Sequence, residues 1–191
     1  MTFVFERNNL INDIVFITPQ VFGDERGFFM ETYHQKEFED NWIKNLFVQD
    51  NHSKSNKGIF RWFHFQVKNV QAKIVRITRW SILDFVIDIR KDSPTYGKYI
   101  SELLSEENKK QLFIPKWFAH GFVVLENDTE ILYKCDDYYD PKNETWIIYN
   151  DTDLNIDREW IMQKYDIKEM ILSEKDKKHP TLKEFYAVNP F

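Results

Sequence analysis

Length, composition and charge limit this chain to one globular domain without a basic footprint. Its 191 residues can bury one sizeable core. The net charge of -5 at pH 7 argues against nucleic acid as a partner. The single cysteine excludes an internal disulfide, and no apolar run is long enough to span a membrane. We expect a single domain over residues 1–191 and a cytoplasmic location.

The first half of the chain predicts one short helix followed by a series of strands. YHQKEFEDNWIKN (33–45) is typical of a short helix. FVQDNHS (47–53) and GIFRWFHFQ (58–66) are predicted strands. KIVRITRWSILDFVIDIR (73–90) is rich in Ile and Val, and a polar break near residues 79–81 predicts a turn between two strands.

The second half continues the β pattern. SEENKKQ (105–111) predicts a second short helix with Ser105 as its N-cap. HGFVVL (120–125) and TEILYKCDDYY (129–139) predict two strands joined by turn-forming residues. The charged tail over residues 173–185 is expected to lie outside the sheets. Short strands at regular intervals, with few helices, favour an all-β sandwich or jelly roll.

The stretch FRWFHFQ, residues 60–66, places Arg61 and His64 three positions apart on one predicted strand. Side chains alternate between the two faces of a strand, so these two residues point opposite ways if the strand is regular. They can share a cavity only if the strand bulges near Trp62. Such breaks usually carry glycine, which makes the tryptophan an unexpected residue there.

Two histidines, His64 and His120, stand in apolar strand-like surroundings. Either could be a structural core histidine. Lys73 and Tyr133 also fall on predicted strands, and this combination favours a lined cavity suited to general acid–base chemistry.

A metal site is the competing interpretation. Metal-binding cupin barrels usually offer two histidines one residue apart, a carboxylate and a third histidine. Here the corresponding pair is His64 and Gln66, so His64 and His120 remain as the good ligands, and we expect no metal. GDERGFF (23–29) lacks the spacing of a phosphate-binding loop, so Arg26 and Arg61 are the predicted phosphate ligands.

Six segments in the same order resemble the dTDP-4-dehydrorhamnose 3,5-epimerase family. The resemblance implies a cupin double-stranded β-helix, or jelly roll, with a few short peripheral helices. It also implies a homodimer, no metal or organic cofactor, and a nucleotide-sugar substrate, dTDP-4-dehydro-6-deoxy-D-glucose, inverted at C3 and C5 to dTDP-4-dehydro-L-rhamnose. The segments are VFGDERGFFMETYHQKEF (21–38), FVQDNHSKSNKGIFRWFHFQ (47–66), DFVIDIRKDSPTYGKY (84–99), LSEENKKQLFIPKWFAHGFVVL (104–125), ILYKCDDYY (131–139) and LSEKD (172–176).

The resemblance also implies the roles of individual residues. His64 is similar to the family's general base and Asp176 to the carboxylate that orients it. Tyr133 resembles the acid that returns a proton on the opposite face of the sugar, and Lys73 lies where the family keeps a lysine near the enolate. Tyr139 falls where a tyrosine stacks on thymine. The positions that contact substrate in the family are Arg26, Glu31, Gln49, Asn51, Arg61, His120, Glu144 and Lys175.

Two other functions stay open at this point. One is a 3-epimerase or ketoisomerase acting on a related nucleotide sugar. The other is a non-catalytic cupin that binds nucleotide sugars. The joint presence of His64, Lys73, Tyr133 and Asp176 argues against the second.

The chain departs from the family in its tryptophans. It has 5 glycines and 6 tryptophans, whereas average usage would give about 13 glycines. The family usually has glycine where this chain has Trp62, Trp80 and Trp117, and glycine is common at the positions of Trp42 and Trp146. One hypothesis is that the gene's source reads UGA as glycine and the sequence was translated with UGA as tryptophan. The other is a divergent member whose tryptophans reshape the pocket.

Overall fold

The computed structural model describes residues 2–173 and 178–191. The helices in these ranges are α1 (Gln35–Asp40), α2 (Arg158–Lys164) and α3 (Leu182–Val188). The strands are β1 (Phe3–Arg7), β2 (Val15–Pro19), β3 (Phe22–Asp24), β4 (Gly27–Phe29), β5 (Gln49–Ser55), β6 (Phe60–Gln66), β7 (Lys73–Arg79), β8 (Ser81–Asp88), β9 (Tyr99–Ser105), β10 (Gln111–Ile114), β11 (Phe118–Val124), β12 (Thr129–Cys135) and β13 (Glu144–Trp146).

The strands form two large antiparallel sheets and a separate hairpin. The six-stranded sheet has the order β1-β2-β10-β7-β12-β5, and the five-stranded sheet has the order β13-β6-β11-β8-β9. Sequence neighbours are often far apart in this order, as expected of a double-stranded β-helix. The β3–β4 hairpin pairs with neither large sheet. The predicted all-β jelly roll is confirmed.

Apolar side chains fill three layers. The layer between the sheets combines residues such as Val75 and Leu112 from one sheet with Val86 and Phe122 from the other. Helices α2 and α3 cover the outer face of the five-stranded sheet through Ile161, Leu182 and Phe185, and α1 covers the other sheet through Phe38. None of the helices in the described ranges is long and apolar enough to cross a membrane.

Strand β8 is buried on both faces. Every residue of SILDFVID is buried, because Leu83, Phe85 and Ile87 face the helices while Ile82 and Val86 face the other sheet. Asp84 has the same parity as Ile82 and Val86, so this carboxyl group also points between the sheets. A strand covered on both faces loses the alternation of polar and apolar residues that a half-exposed strand shows.

The helix predicted over residues 105–111 is wrong. Ser105 does accept a hydrogen bond from the Asn108 backbone N–H at 3.0 Å, as a cap would, but residues 106–108 form only a turn between β9 and β10. Lys109, with a φ of 55°, ends that turn. The helix predicted over residues 33–45 is confirmed as the shorter α1, and the described part of the tail forms α3 outside the sheets.

Strand β6 contains the bulge that Arg61 and His64 require. His120 of β11 pairs with His64 and Phe122 pairs with Arg61, so the single residue Gly121 faces both Trp62 and Phe63. The extra residue restores Arg61 and His64 to one face. The close approach uses Gly121 and not residue 62, because a Cβ on Gly121 would lie 2.8 Å from the Arg61 carbonyl oxygen.

The five tryptophans at glycine-rich family positions fall into two groups. Trp42, Trp80 and Trp117 have left-handed backbone conformations, whereas Trp62 and Trp146 lie outside that region. Trp62 is buried, and its indole N–H has no hydrogen-bond partner within the described part of the chain.

Candidate active site

A cavity of about 770 Å³ opens between the two sheets. Inward-facing side chains of both sheets line it. Nine predicted site residues are among them: Gln49, Asn51, Arg61, His64, Lys73, His120, Tyr133, Tyr139 and Glu144. The strand pattern could not show this convergence, because it depends on which strands pair across the sheets.

The other four predicted residues are not placed in this cavity. Arg26 lies on the turn of the β3–β4 hairpin, where its side chain is 84% exposed and pairs with Asp24. Glu31 follows the hairpin and is half-buried, and neither residue lines the cavity. Lys175 and Asp176 lie outside the described residues.

His64 and Lys73 are in direct contact across the two sheets. The Lys73 Nζ lies 3.1 Å from His64 Nε2. His64 Nδ1 lies 3.3 Å from the Trp62 carbonyl oxygen, which can only accept. The arrangement therefore favours the tautomer in which Nδ1–H donates to Trp62 and the Nε2 lone pair accepts from the ammonium group of Lys73.

The environment disfavours the charged forms of both His64 and Lys73. Burial, followed by the charge of Lys73, lowers the pKa of His64 well below its usual value. Burial lowers the pKa of Lys73, although Cys135 and Glu144 oppose this effect. A neutral imidazole at physiological pH is already a base, and a buried ammonium acts strongly on any nearby developing negative charge.

Tyr133 enters the cavity from the sheet opposite to His64. It lies on β12 beside Asn51 of β5 and Val75 of β7, whereas His64 lies on β6 of the other sheet. Burial raises the pKa of Tyr133, so its phenol stays protonated at neutral pH. A base and an acid therefore face one cavity from two sides.

Asp84 bonds to the cavity residue His120, and the sequence interpretation missed it. Its Oδ2 lies 2.8 Å from His120 Nε2, and both residues are buried. The rings of His120 and His64 have centroids 5.5 Å apart. The available signal was a lone carboxyl group in the apolar run ILDFV, since buried strands seldom carry an unpaired charge.

The end of the cavity near residues 137–144 is built by side chains that hold a loop. The hydroxyl group of Tyr139 donates to Glu144 at 2.9 Å, and the Tyr139 backbone N–H donates to Gln49. The amide group of Gln66 donates to the carbonyl oxygens of Asn69 and Tyr138 and accepts from the Asp140 backbone N–H. Gln66 thus uses its polar atoms on the backbone, which explains why a glutamine suits this position.

The metal interpretation finds no geometric support in the described ranges. Among these residues no group of three or more His, Cys, Asp or Glu side chains is arranged to hold a metal ion. His64 and His120 instead bond to Lys73 and Asp84. The expectation that the site needs no metal stays a prediction.

Comparisons with known sequences identify the group to which the chain is similar. A sequence profile of the dTDP-4-dehydrorhamnose 3,5-epimerase family matches residues 8–184. A dTDP-4-dehydrorhamnose 3,5-epimerase from Pseudomonas aeruginosa is 46% identical over 168 residues, which cover 87% of this chain and 90% of that protein.

Solved structures show the same architecture. The dTDP-6-deoxy-D-glucose-3,5-epimerase of Legionella pneumophila, in complex with dTDP-4-keto-L-rhamnose, superimposes with a TM-score of 0.88 at 40% identity and covers 95% of this chain and 93% of its own. A 3'-monoepimerase from Streptomyces bikiniensis, in complex with dTDP-quinovose, has a TM-score of 0.86 at 26% identity, with 96% and 90% covered. The fold thus serves both double and single epimerases. Because the family profile spans most of the chain and the identity to a curated relative is 46%, the chain belongs to the dTDP-4-dehydrorhamnose 3,5-epimerase family.

Proposed function

We propose that this chain inverts C3 and C5 of dTDP-4-dehydro-6-deoxy-D-glucose to give dTDP-4-dehydro-L-rhamnose. One observation carries the proposal. His64 and Lys73 are in contact at 3.1 Å, and Tyr133 enters the same cavity from the opposite sheet from His64. An epimerase needs a base on one face of the sugar ring, an acid on the other and a cation at the ketone oxygen between them.

The first step is the removal of a proton from the carbon next to the 4-keto group. In the structure the Nε2 lone pair of His64 accepts a hydrogen bond from Lys73. We expect the substrate's ketone oxygen to attract the ammonium group, which frees Nε2 to accept the proton. The C–H electron pair then becomes part of an enolate, whose oxygen is stabilised by the buried ammonium group of Lys73.

The second step returns a proton to the opposite face. Tyr133 donates its phenolic proton to the enolate carbon, which inverts the centre. The imidazolium and phenolate then regain their starting states by exchange with solvent through the open cavity. Because the same ketone acidifies C3 and C5, one base and one acid act twice. Side chains carry each proton and charge, so we retain the expectation that no metal or organic cofactor takes part.

Deuterium exchange tests these roles directly. The protein is incubated in D₂O with the 4-keto substrate, and NMR follows deuterium and configuration at C3 and C5. We expect deuterium at both carbons and inversion of both. His64→Ala should abolish exchange, and Tyr133→Phe should abolish inversion while leaving exchange measurable, since His64 can still remove and return the proton on one face.

The same experiment decides the alternatives. Inversion and exchange at one carbon would identify a monoepimerase, which the shared fold of the Streptomyces bikiniensis enzyme permits. Folded protein that binds the nucleotide sugar without exchange at either carbon would identify a non-catalytic binding protein. Unchanged exchange in His64→Ala would refute the role of His64 as the base.

We propose that the active form is a homodimer in which the hairpin of one copy completes the cavity of the other. The hairpin carries Phe28 and Phe29 with 59% and 66% exposure. Exposed apolar patches of this kind mark interfaces. Arg26 and Glu31 lie at positions that contact substrate in the family, but neither lines the cavity of its own chain. In a homodimer they would reach the cavity of the second copy.

Mixing two inactive variants tests the shared site. His64→Ala and Arg26→Ala chains, each expected to be inactive alone, are unfolded, mixed and refolded together. If the hairpin serves the partner's cavity, about a quarter of the wild-type activity returns, since half of the dimers are mixed and each mixed dimer has one intact site. Sedimentation of a monomer with full activity would refute the proposal.

We propose that the protein acts in the cytoplasm as a single cupin domain over residues 1–191. Its one cysteine, Cys135, is buried and unpaired. Burial raises the pKa of this thiol to about 11, which makes it unreactive. Fractionation of the native source would test the location.

A further inference from the structure

Asp84 is a buried carboxyl group whose hydrogen bonds, among the described residues, do not satisfy both of its oxygens. Its side chain is fully buried, and only Oδ2 has a hydrogen-bond partner in the described part of the chain, the Nε2 of His120. Oδ1 has none. A buried carboxylate with one unsatisfied oxygen is costly, so such a group is retained for a reason other than stability.

Asp88, four residues along the same strand, provides the contrast. It is equally inaccessible, yet its oxygens accept hydrogen bonds from Arg90, Ser93 and Thr95. That arrangement satisfies an ionised carboxylate completely. Asp84 has no comparable set of donors, and an added proton would remove its charge and supply a donor for the His120 ring.

We propose that Asp84 is a positioning residue that carries a proton and donates it in a hydrogen bond to His120 Nε2, which makes His120 Nδ1–H a neutral donor for the substrate's ketone oxygen. The proposal rests on the role of His120 as a substrate contact. Within the described residues no protein group bonds to Nδ1, and the ring lines the cavity. His120 would then assist Lys73 at the enolate oxygen.

The surrounding groups are consistent with this protonation state. Burial raises the pKa of Asp84 well above its usual range, the charge of Lys73 opposes the rise, and Glu102 adds to it. Burial, followed by the charge of Lys73, lowers the pKa of His120 well below its usual value. A neutral acid beside a neutral imidazole can share one hydrogen bond without a buried charge.

Nitrogen NMR of labelled histidine tests the proposal without reference to activity. In the wild type we expect the His120 signals of a ring protonated at Nδ1 and bare at Nε2, assigned with His120→Gln. A ring protonated at Nε2 would refute the proposal, even if the enzyme is fully active. Conversely, loss of epimerase activity in every preparation would not change this spectrum, so the two proposals fail separately.

Two replacements of Asp84 give a second measurement. The amide N–H of Asp84→Asn can donate to Nε2 as the acid does, so we expect the tautomer and kcat to stay close to wild type. Asp84→Leu fills the space without a donor, and kcat should fall by about 10-fold to 10²-fold with little change in KM. Equal losses in both variants would show that a carboxylate is required and would overturn the proposal. A role in stability alone would lower Tm in Asp84→Leu and leave kcat unchanged.

A separate observation concerns three tryptophans in left-handed backbone. The φ angles are 74° for Trp42, 64° for Trp80 and 66° for Trp117. Residues with a Cβ are disfavoured there, and bulky ones are genuine outliers. Four of the other five non-glycine residues in this region are Asn or Asp, which tolerate it best. The three tryptophans remain 58%, 44% and 45% exposed, so burial offsets little of the strain.

The end of helix α1 shows most clearly that the backbone favours glycine at one of these positions. The Ile43 backbone N–H donates to the Phe38 carbonyl oxygen at 2.9 Å, and the Trp42 N–H donates to Glu39 at 3.2 Å. This pair of hydrogen bonds is the Schellman motif, and Trp42 occupies its left-handed position, where glycine is the usual residue. Phe38 and Ile43 pack in one apolar cluster, as the motif requires. Every part of the motif is present except the glycine.

We infer that the natural polypeptide carries glycine at positions 42, 80 and 117, encoded by UGA in a source that reads this codon as glycine. The gene's codons decide the question. UGA at all three positions is expected, and UGG at any one of them would end the inference for that position. The codons of Trp62 and Trp146 would show whether UGA also encodes these two residues, whose backbone conformations do not favour glycine.

Stability measurements test the same inference on the protein. Trp42→Gly, Trp80→Gly and Trp117→Gly should each raise Tm by a few degrees, because glycine removes the strain. Trp160→Gly is the matched control: Trp160 is also about half exposed but lies in helix α2, where glycine should lower Tm. Lower Tm in all four variants would contradict the inference.

Discussion

The ammonium group of Lys73 has two partners in turn, His64 in the structure and the ketone oxygen in the proposed reaction. This ammonium group donates to Nε2 of the base His64 at 3.1 Å. Removal of this group should therefore change both the pKa of His64 and the rate of the reaction. Burial is the main cause of the low pKa of His64, and the charge of Lys73 is the second. Only the second cause disappears when the lysine is replaced.

For Lys73→Met we therefore expect two effects with one origin. The kcat should fall by about 10²-fold to 10³-fold, as for other lost oxyanion stabilisers, and the pKa of His64 should move up towards its usual value. NMR titration and single-turnover kinetics measure the two. Lys134→Met, which removes a surface pair with Asp50, is the control and should change neither. A Lys73→Met enzyme with wild-type kcat would rule out the enolate role.

Single residues could be predicted from the sequence only in part. Periodicity placed His64 and His120 in apolar strands, but it could not distinguish a cavity from a core, because that depends on what faces the strand. The roles came from the family resemblance. Asp84 was missed because a buried strand offers no alternation from which to read the direction of a side chain.

At the scale of strands, the bulge in β6 determines whether Arg61 and His64 share a face. It depends on Gly121, where an added Cβ would lie 2.8 Å from the Arg61 carbonyl oxygen, 3.0 Å from the Phe63 nitrogen and 3.1 Å from the Trp62 carbonyl carbon. These are backbone atoms of the paired strand, so they cannot move aside without disturbing the bulge.

We expect Gly121→Ala to destabilise the fold by about 1–3 kcal/mol, the usual cost of overpacking. It should also reduce kcat, because the base moves with its strand. Denaturant unfolding and kinetics measure the two effects. Gly23→Ala in the exposed hairpin is the matched control, since its Cβ would meet only one atom, at an ordinary 3.7 Å. Equal stability of the two variants would show that the close approach does not determine the bulge.

The helix predicted over residues 105–111 shows why local propensity alone can predict the wrong element. SEENKKQ has a capping serine and good helix formers, so local propensity favours a helix. The two strands that flank it, β9 and β10, lie in different sheets and leave only a short connection, which the chain closes with a turn. Tertiary pairing thus overrides propensity. The strands on either side were predictable, because their apolar residues must be buried whatever the connection.

For the whole molecule, the spacing of the strands predicted an all-β sandwich or jelly roll, and the family resemblance selected the jelly roll. Neither predicted the order of strands within each sheet. The position of the β3–β4 hairpin could not be predicted from the sequence either. A prediction from one chain cannot say which cavity Arg26 serves if, as we propose, the hairpin completes the cavity of a second copy.

The buried cluster of His64, His120 and Asp84 makes the stability of the whole molecule depend on pH, through two opposing contributions. Burial, followed by the charge of Lys73, lowers the pKa values of His64 and His120. Below about pH 6.5 the unfolded chain therefore binds protons that the folded chain does not, and stability falls as the pH falls. Burial raises the pKa of Asp84, so the folded chain binds a proton that the unfolded chain releases above about pH 4, and this term favours folding at lower pH.

Variants of the cluster should therefore change the slope of stability against pH between pH 6.5 and 5 in opposite directions. Each group contributes at most about 1.4 kcal/mol per pH unit. His120→Gln removes one destabilising term and should make the loss on acidification smaller. Asp84→Leu removes the compensating term and should make the loss steeper, even where its stability at pH 7 equals or exceeds that of the wild type. Chemical denaturation at several pH values measures the slopes. An unchanged slope in Asp84→Leu would contradict the assignment of a proton to Asp84, because an ionised carboxylate binds no proton in this range in either state.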